Sequence, residues 1–242
     1  MCARIPIWVQ AVFLLTVVMH ENAISQEISS ASEKEAPRTD AASSSAADRP
    51  APNTSRPLSG AEAAILAAHG WNTRVGKMCA AWVAVDSQRF CLVQDGVVLW
   101  ETPCSTARNG TGSEINSNKT PLGWHAIAEK YGECAPWGTI FRNIQQTKQL
   151  WKSGQSTSED LILTRVMVLE GLEPGKNKGG NIDSYARGIY IHGTNDEVHI
   201  GTPTSHGCIR LTNNDAIEAY ERLPQGTLVL ITDRDESAKP IP

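Results

Sequence analysis

Two side chains in the C-terminal third of this 242-residue chain have the types and spacing for covalent catalysis. His192 closes a short β-branched and aromatic run, Ile189-Tyr190-Ile191. Cys208 follows sixteen positions later, inside Ser205-His206-Gly207-Cys208. The reactive form of cysteine is the thiolate, and a free thiol with a pKa of ~8.5 is mostly protonated at neutral pH. An imidazole nearby can take that proton and later return it to a departing amine. A glycine beside the nucleophile lets backbone N–H groups approach a developing oxyanion with no Cβ in the way. Cys208 is therefore the candidate nucleophile and His192 the candidate base. The N–H groups around His206, Gly207 and Cys208 are candidate oxyanion donors, and the Ser205 hydroxyl is a candidate support for their turn.

The same residues carry a resemblance. His192-Gly193-Thr194, followed by Ser205-His206-Gly207-Cys208-Ile209-Arg210-Leu211, resembles the active-site signature of the L,D-transpeptidase catalytic domain (YkuD-type) family. Twelve residues separate His192 from Ser205, slightly fewer than the usual pattern, and Arg210 stands where many members carry asparagine. The resemblance implies a mostly β fold, a YkuD-like β-sandwich with a few short helices, over roughly residues 80–232. It implies an L,D-transpeptidase acting on peptidoglycan stem peptides. Cys208 would attack the carbonyl of an L-configured centre, expel D-alanine and pass the acyl group to an amine. Water as acceptor would make the chain an L,D-carboxypeptidase or endopeptidase, and a protein lysine would make it a wall-to-lipoprotein linker. Arg210 could hold a substrate carboxylate, with an internal ion pair as the rival role. Tyr190, Gly193 and Thr194 flank the base as candidate substrate-side supports. That mechanism requires no organic cofactor and no metal.

Other signals place the elements that must position these groups. Ser59-Gly60-Ala61-Glu62 fits a capping box and predicts a short helix ended by Gly70. Period-two patterning predicts strands at 81–85, 89–94 and 97–101, with Asp95-Gly96 as a tight hairpin turn. After a polar loop over 105–123, residues 124–130 and 161–169 read as strands. The second of these carries Arg165, expected on the solvated face or in the cleft. Residues 131–160 lack periodicity but hold Tyr131, Trp137, Phe141 and Trp151. These form either a cap over the cleft, as the resemblance implies, or ordinary core. The loop 171–180, GLEPGKNKGG, lacks a P-loop ending and predicts a mobile rim. Asn213-Asn214-Asp215 predicts the cap of a short helix over 216–222, stopped by Pro224 and Gly226, before a last strand at 228–232.

The charge balance is −4, with no concentrated basic face, which excludes nucleic acid as the expected partner. Residues 1–25, with Arg4, an apolar stretch and Ala23-Ile24-Ser25, predict a signal peptide. The expected location is therefore periplasmic or secreted, in the cell envelope, with no membrane span after cleavage. Residues 26–58, rich in Ser, Ala, Glu and Pro, predict a disordered linker. The catalytic domain is expected over 59–233 and a polar tail over 234–242.

With Cys2 in the signal and Cys208 as nucleophile, four of the six cysteines remain: Cys79, Cys91, Cys104 and Cys134. An even remainder in an exported chain predicts two disulfides, with three connectivities open. Two rival readings come from other classes. His192, His199, His206 and Cys208 could supply zinc ligands, though no CxxC or HxxxH spacing fixes them. The chain could also be a non-catalytic wall-binding module, against which the intact Cys–His pair speaks.

Overall fold

The structure, a computed structural model, describes residues 55–233. The expected signal peptide, most of the expected linker and the tail lie outside the described residues. Strand β1 (Arg56–Pro57) pairs with β4 (Val97–Pro103), so ordered pairing begins before the expected boundary at residue 59. Arg56 fixes this start by donating to both Glu62 and Glu101.

The hairpin signal is realised between β3 (Arg89–Gln94) and β4. Asp95 and Gly96 have φ of +48° and +77°, the pair of left-handed residues whose twist suits a two-residue turn. Strand β2 (Ala80–Ala84) pairs antiparallel with β3, and β11 (Leu228–Thr232) inserts between β2 and β5 (Gly123–Tyr131), parallel to the first and antiparallel to the second. Strand β8 (Ile162–Gly171) follows β5 and carries the hairpin β6 (Thr139–Arg142) and β7 (Gln145–Leu150) on the same side as β5. Strand β9 (Tyr190–Thr194) pairs along the other side of β8, and β10 (Ile209–Leu211) pairs with β9.

This continuous sheet folds over into a mostly β sandwich. Ala81, Val83, Phe90, Leu92, Val229 and Ile231 from one half meet Met167, Leu169, Ile191, Ile209 and Leu211 from the other. Helix α3 (Asn213–Arg222) closes the layer with Ala216 and Ala219. Every β2 residue is buried because its opposite face is covered too. There Trp82 and Leu230 pack against Leu66 of α1 (Gly60–Ala68) and Trp71 of α2 (Trp71–Arg74). The capping box forms as expected, Ser59 and Glu62 each bonding the other's backbone N–H. Among the described residues, no helix is long and apolar enough to cross a membrane.

Four expectations are corrected. Helix α3 starts at Asn213, and its cap is Thr212, whose hydroxyl accepts the Asp215 N–H at 3.1 Å. The glycine-rich loop is bolted down rather than a free rim. Asn177, fully buried, donates to the Leu122 and Trp124 carbonyls and accepts from Glu173 N. Arg165 is neither solvated nor in the cleft: it is buried and donates to the Ala135 and Thr164 carbonyls. Cys79, Cys91 and Cys104 are free thiols, so no bridge forms within the expected set of four. Cys91 packs with Trp82 and Trp124 while Cys104 packs in the sandwich interior, each as a small apolar side chain in its own core.

In the aromatic segment 131–160, Phe141 and Trp151 are core residues, and Tyr131 packs beside Tyr190 of β9. Trp137 remains partly open, stacked 5.7 Å from Trp151.

Candidate active site

The His–Cys unit is not a hairpin. Strands β9 and β10 run parallel, with Ile191 opposite Ile209 and His192 opposite Arg210. Parallel neighbours need a crossover of about a dozen residues, and 195–208 supplies it. Ile189, Ile191, Ile209 and Leu211 fill the core. Alternation then puts Tyr190, His192, Cys208 and Arg210 together on the outer face. Cys208 stands one position before Ile209, so its sulfur lies beside Tyr190. The His192 ring is two residues further along, about 8 Å away between Cα atoms from standard strand spacings.

The thiol is held from both sides: Tyr190 N–H donates to Sγ at 3.4 Å, and Sγ–H points to the Gly188 carbonyl at 3.4 Å. Burial pushes the Cys208 thiol up to about 11, and the Tyr190 N–H works against that push. His192 is buried, and its Nδ1 lies 2.7 Å from the Gly193 carbonyl. A carbonyl only accepts, so Nδ1 carries the hydrogen and Nε2 keeps its lone pair for a proton. Burial pushes the imidazole down to about 4, with the Gly193 carbonyl opposing. At neutral pH the resting pair is therefore thiol and neutral imidazole, not thiolate and imidazolium.

Gly193 and Thr194 are buried behind the base. A Cβ on Gly193 would stand 2.4 Å from Asn213 Oδ1 and 2.9 Å from the Leu163 carbonyl. Asn213 donates to the Thr194 carbonyl and to Glu197, and accepts from Thr164 at 2.5 Å. Thr164 sits at φ +70°, a strained position for a β-branched residue, where the β8 register slips opposite His192 and Gly193. One buried polar network thus holds the backbone that directly follows His192.

The Ser205 hydroxyl donates to the Cys208 carbonyl at 2.6 Å and accepts the Gly207 N–H at 3.1 Å. Gly207 N–H is therefore occupied, which leaves the His206 and Cys208 N–H groups as the oxyanion candidates. Thr120 holds the Gly207 carbonyl at 3.0 Å, and Ser205 pairs with the backbone of Thr106 and Arg108. Gly207 has φ +132° and a Cβ there would lie 3.3 Å from the Lys119 carbonyl, so the turn needs glycine on both counts.

Sequence reading missed Asp160. Its carboxylate bonds Arg210 and, at 2.9 Å, His206 Nδ1. Burial opposes its ionisation, but the Arg210 guanidinium and the His206 bond hold its carboxyl below the usual range. Arg210, nearly fully buried, is committed to Asp160, with Thr204 and Asp196 close by. Those residues border a cleft of about 870 Å³, walled also by Ser156, Asn195 and His199. His199 bonds Asp196 instead of joining His192 and Cys208, and among the described residues no three such side chains form a metal-holding cluster.

His125 is a second buried histidine, bonding Gly123 O and Ser184 Oγ at 3.0 Å each, and burial pushes it down to about 4 as well. For both rings the folded value lies below the unfolded one of 6.5. The unfolded chain then binds more protons, and stability falls as pH drops from about 6.5 towards 4. Each ring should contribute on the order of 3 kcal/mol to that fall. Urea unfolding at pH 7.5, 6 and 5 should show it, and His125→Gln should flatten the slope by about half. A pH-independent midpoint would refute the assignment.

The L,D-transpeptidase catalytic domain model matches residues 80–231. A probable L,D-transpeptidase ErfK/SrfK of Escherichia coli is 48% identical over 117 residues, covering 48% of this chain and 34% of that protein. A putative L,D-transpeptidase YkuD of Bacillus subtilis is 41% identical over 61 residues, 23% of this chain and 37% of that protein. The chain thus spans little more than a third of these curated relatives. Among solved structures, L,D-transpeptidase 3 from Mycobacterium tuberculosis with a faropenem-derived adduct gives a TM-score of 0.40 at 17% identity, over 64% of this chain and 60% of that one. With 152 matched residues of 242 (80–231), this chain belongs to the L,D-transpeptidase catalytic domain family.

Proposed function

We propose that this protein is a cysteine acyltransferase of the cell envelope that acts on peptidoglycan stem peptides. The observation that carries the reading is the shared outer face of β9 and β10. There Cys208 and a single-tautomer His192 share a face with Arg210, which with His206 lines an open cleft of about 870 Å³, large enough for a peptide. Cys208 Sγ attacks the carbonyl of the L-configured residue preceding D-alanine, and His192 Nε2 takes the thiol proton as the S–C bond forms. The oxyanion is met by the N–H groups of Cys208 and His206, each worth about 3 kcal/mol if aligned. Collapse breaks the C–N bond, His192 returns its proton to the departing D-alanine amine, and a thioester remains. An amine acceptor, deprotonated by the same imidazole, then attacks the thioester and releases the thiol. Arg210, Asp160 and His206 brace the nucleophile turn against the cleft wall.

Intact-mass spectrometry after exposure to a carbapenem tests this reading, beside a Cys208→Ala control. A covalent adduct on the parent alone is expected, followed by release of D-alanine from tetrapeptide stems and formation of amine-linked product. A tripeptide product without amine linkage would assign water as the acceptor. No adduct and no D-alanine release from the reduced parent would sink the reading in favour of a binding module.

A further inference from the structure

Arg187 lies in the turn before β9, adjacent to Gly188, whose carbonyl meets the Cys208 thiol. Its guanidinium donates to the Lys119 carbonyl at 2.7 Å, to the Gly112 carbonyl at 3.3 Å and to Ser117 Oγ at 3.4 Å. The Lys119 carbonyl in turn packs against Gly207, the residue before Cys208, so a second and longer route also joins Arg187 to the nucleophile. All three acceptors are uncharged. Among the described residues, no carboxylate lies within ion-pair distance of this half-buried cation. That sets it apart from Arg210, whose charge is met by Asp160 and Asp196.

An arginine has five N–H donors, and three are engaged here. Burial works against the charge of Arg187, and the one opposing charge it feels is a Cys208 thiolate. Yet the resting thiol stays protonated up to about 11 with Arg187 in place. The cation is therefore left without a counter-charge in the resting protein, and it is not among the residues that line the Asp160 cleft. A desolvated guanidinium with spare donors matches a carboxylate bidentately.

We propose that Arg187 binds the free C-terminal carboxylate of the donor peptide, the carboxylate of the residue that leaves. This rests on the functional reading above. The carboxyl carbon of that residue is three bonds from the carbonyl carbon under attack, so a cation on the residue next to the thiol's Gly188 partner is within reach of it when the peptide is seated for reaction. The residue then selects stems that end immediately after the scissile bond and orients the leaving amine towards His192.

The test compares a stem tetrapeptide ending in D-alanine with the same peptide ending in D-alaninamide. Single-turnover acylation is followed for the parent, Arg187→Gln and Arg187→Lys. The parent should favour the free acid by about 30-fold or more, the range of a lost charge-assisted bond. Arg187→Gln should erase that preference to within about threefold, chiefly through KM, while acylating the amide as the parent does. Arg187→Lys should keep part of the preference. Iodoacetamide labelling of Cys208 across pH and thermal melts show whether each variant is folded with an unaltered thiol. A preference that survives in Arg187→Gln overturns the proposal. So does an equal loss on both peptides, which would mean a brace for the loop at 112–119, or a shifted labelling profile, which would mean a thiolate partner. A parent that accepts neither peptide and no carbapenem fells the functional reading, and the proposal with it.

Discussion

Replacing His192 by glutamine is expected to slow acylation of Cys208 by about 10³-fold at pH 7. The thiol is held near 11, so only about one molecule in 10⁴ carries a spontaneous thiolate at pH 7. Without the base, attack must draw on that fraction. The variant's rate should then climb about tenfold per pH unit towards 11. The parent should be nearly flat from pH 6 to 9 and lose activity only as His192 is protonated near 4. A charged imidazole cannot accept the thiol proton, which fixes the direction of the acid limb. Carbapenem consumption followed across pH 4–10 for both proteins reads out each limb. A parent limb centred near 6.5, or a variant matching the parent at pH 7, would contradict the neutral-pair mechanism.

Gly193→Ala is expected to lower both stability and activity more than its single added methyl suggests. The glycine is not required by backbone angle; it is required because Asn213 Oδ1 and the Leu163 carbonyl close over the Cα. A Cβ must displace a fully buried asparagine whose bonds to Thr164, Thr194 and Glu197 have no water to replace them. Overpacking of about 1–3 kcal/mol and at least one broken buried bond of similar size follow. Together they lower the melting temperature by about 10 °C. Activity falls too, because the Gly193 carbonyl that sets the His192 tautomer must turn. Asn213→Ala alone should also destabilise, yet added to Gly193→Ala it should cost less than in the parent, because it removes the atom that clashes. A double-mutant cycle by urea unfolding gives that coupling its sign. Strict additivity would disprove the steric account.

Local signals in the sequence identified the parts whose rules are local. The φ demands of Asp95-Gly96, the capping box at Ser59 and Glu62, and the β-rich runs over 89–94 and 228–232 each depend on near neighbours. The proposed nucleophile and base could be named because both lie in one short stretch. The residues packed around them could not. Asp160 lies 46 positions before His206 and acquires meaning only when the β8 approach sets it against Arg210. Arg187 reads as an ordinary polar residue before a strand until its partners prove to be carbonyls 68 or more positions away. Strand β7 escaped because Gln145–Leu150 is an exposed edge with almost no apolar residue to betray it. The parallel pairing of β9 and β10 was hidden as well, since a strand, loop and strand of this length suit a hairpin equally.

That parallel crossover separates two tasks that a hairpin would merge. The position of Cys208 relative to His192 is set by the ladder of Ile191 on Ile209, not by the length of the connecting segment. The segment itself, through Asn195, Asp196, Val198, His199, Pro203 and Thr204, forms one wall of the cleft. Insertions or deletions there can reshape what the cleft admits while the reacting atoms keep their places. The strands hold the His192–Cys208 placement, and the loop can vary the cleft wall independently of it.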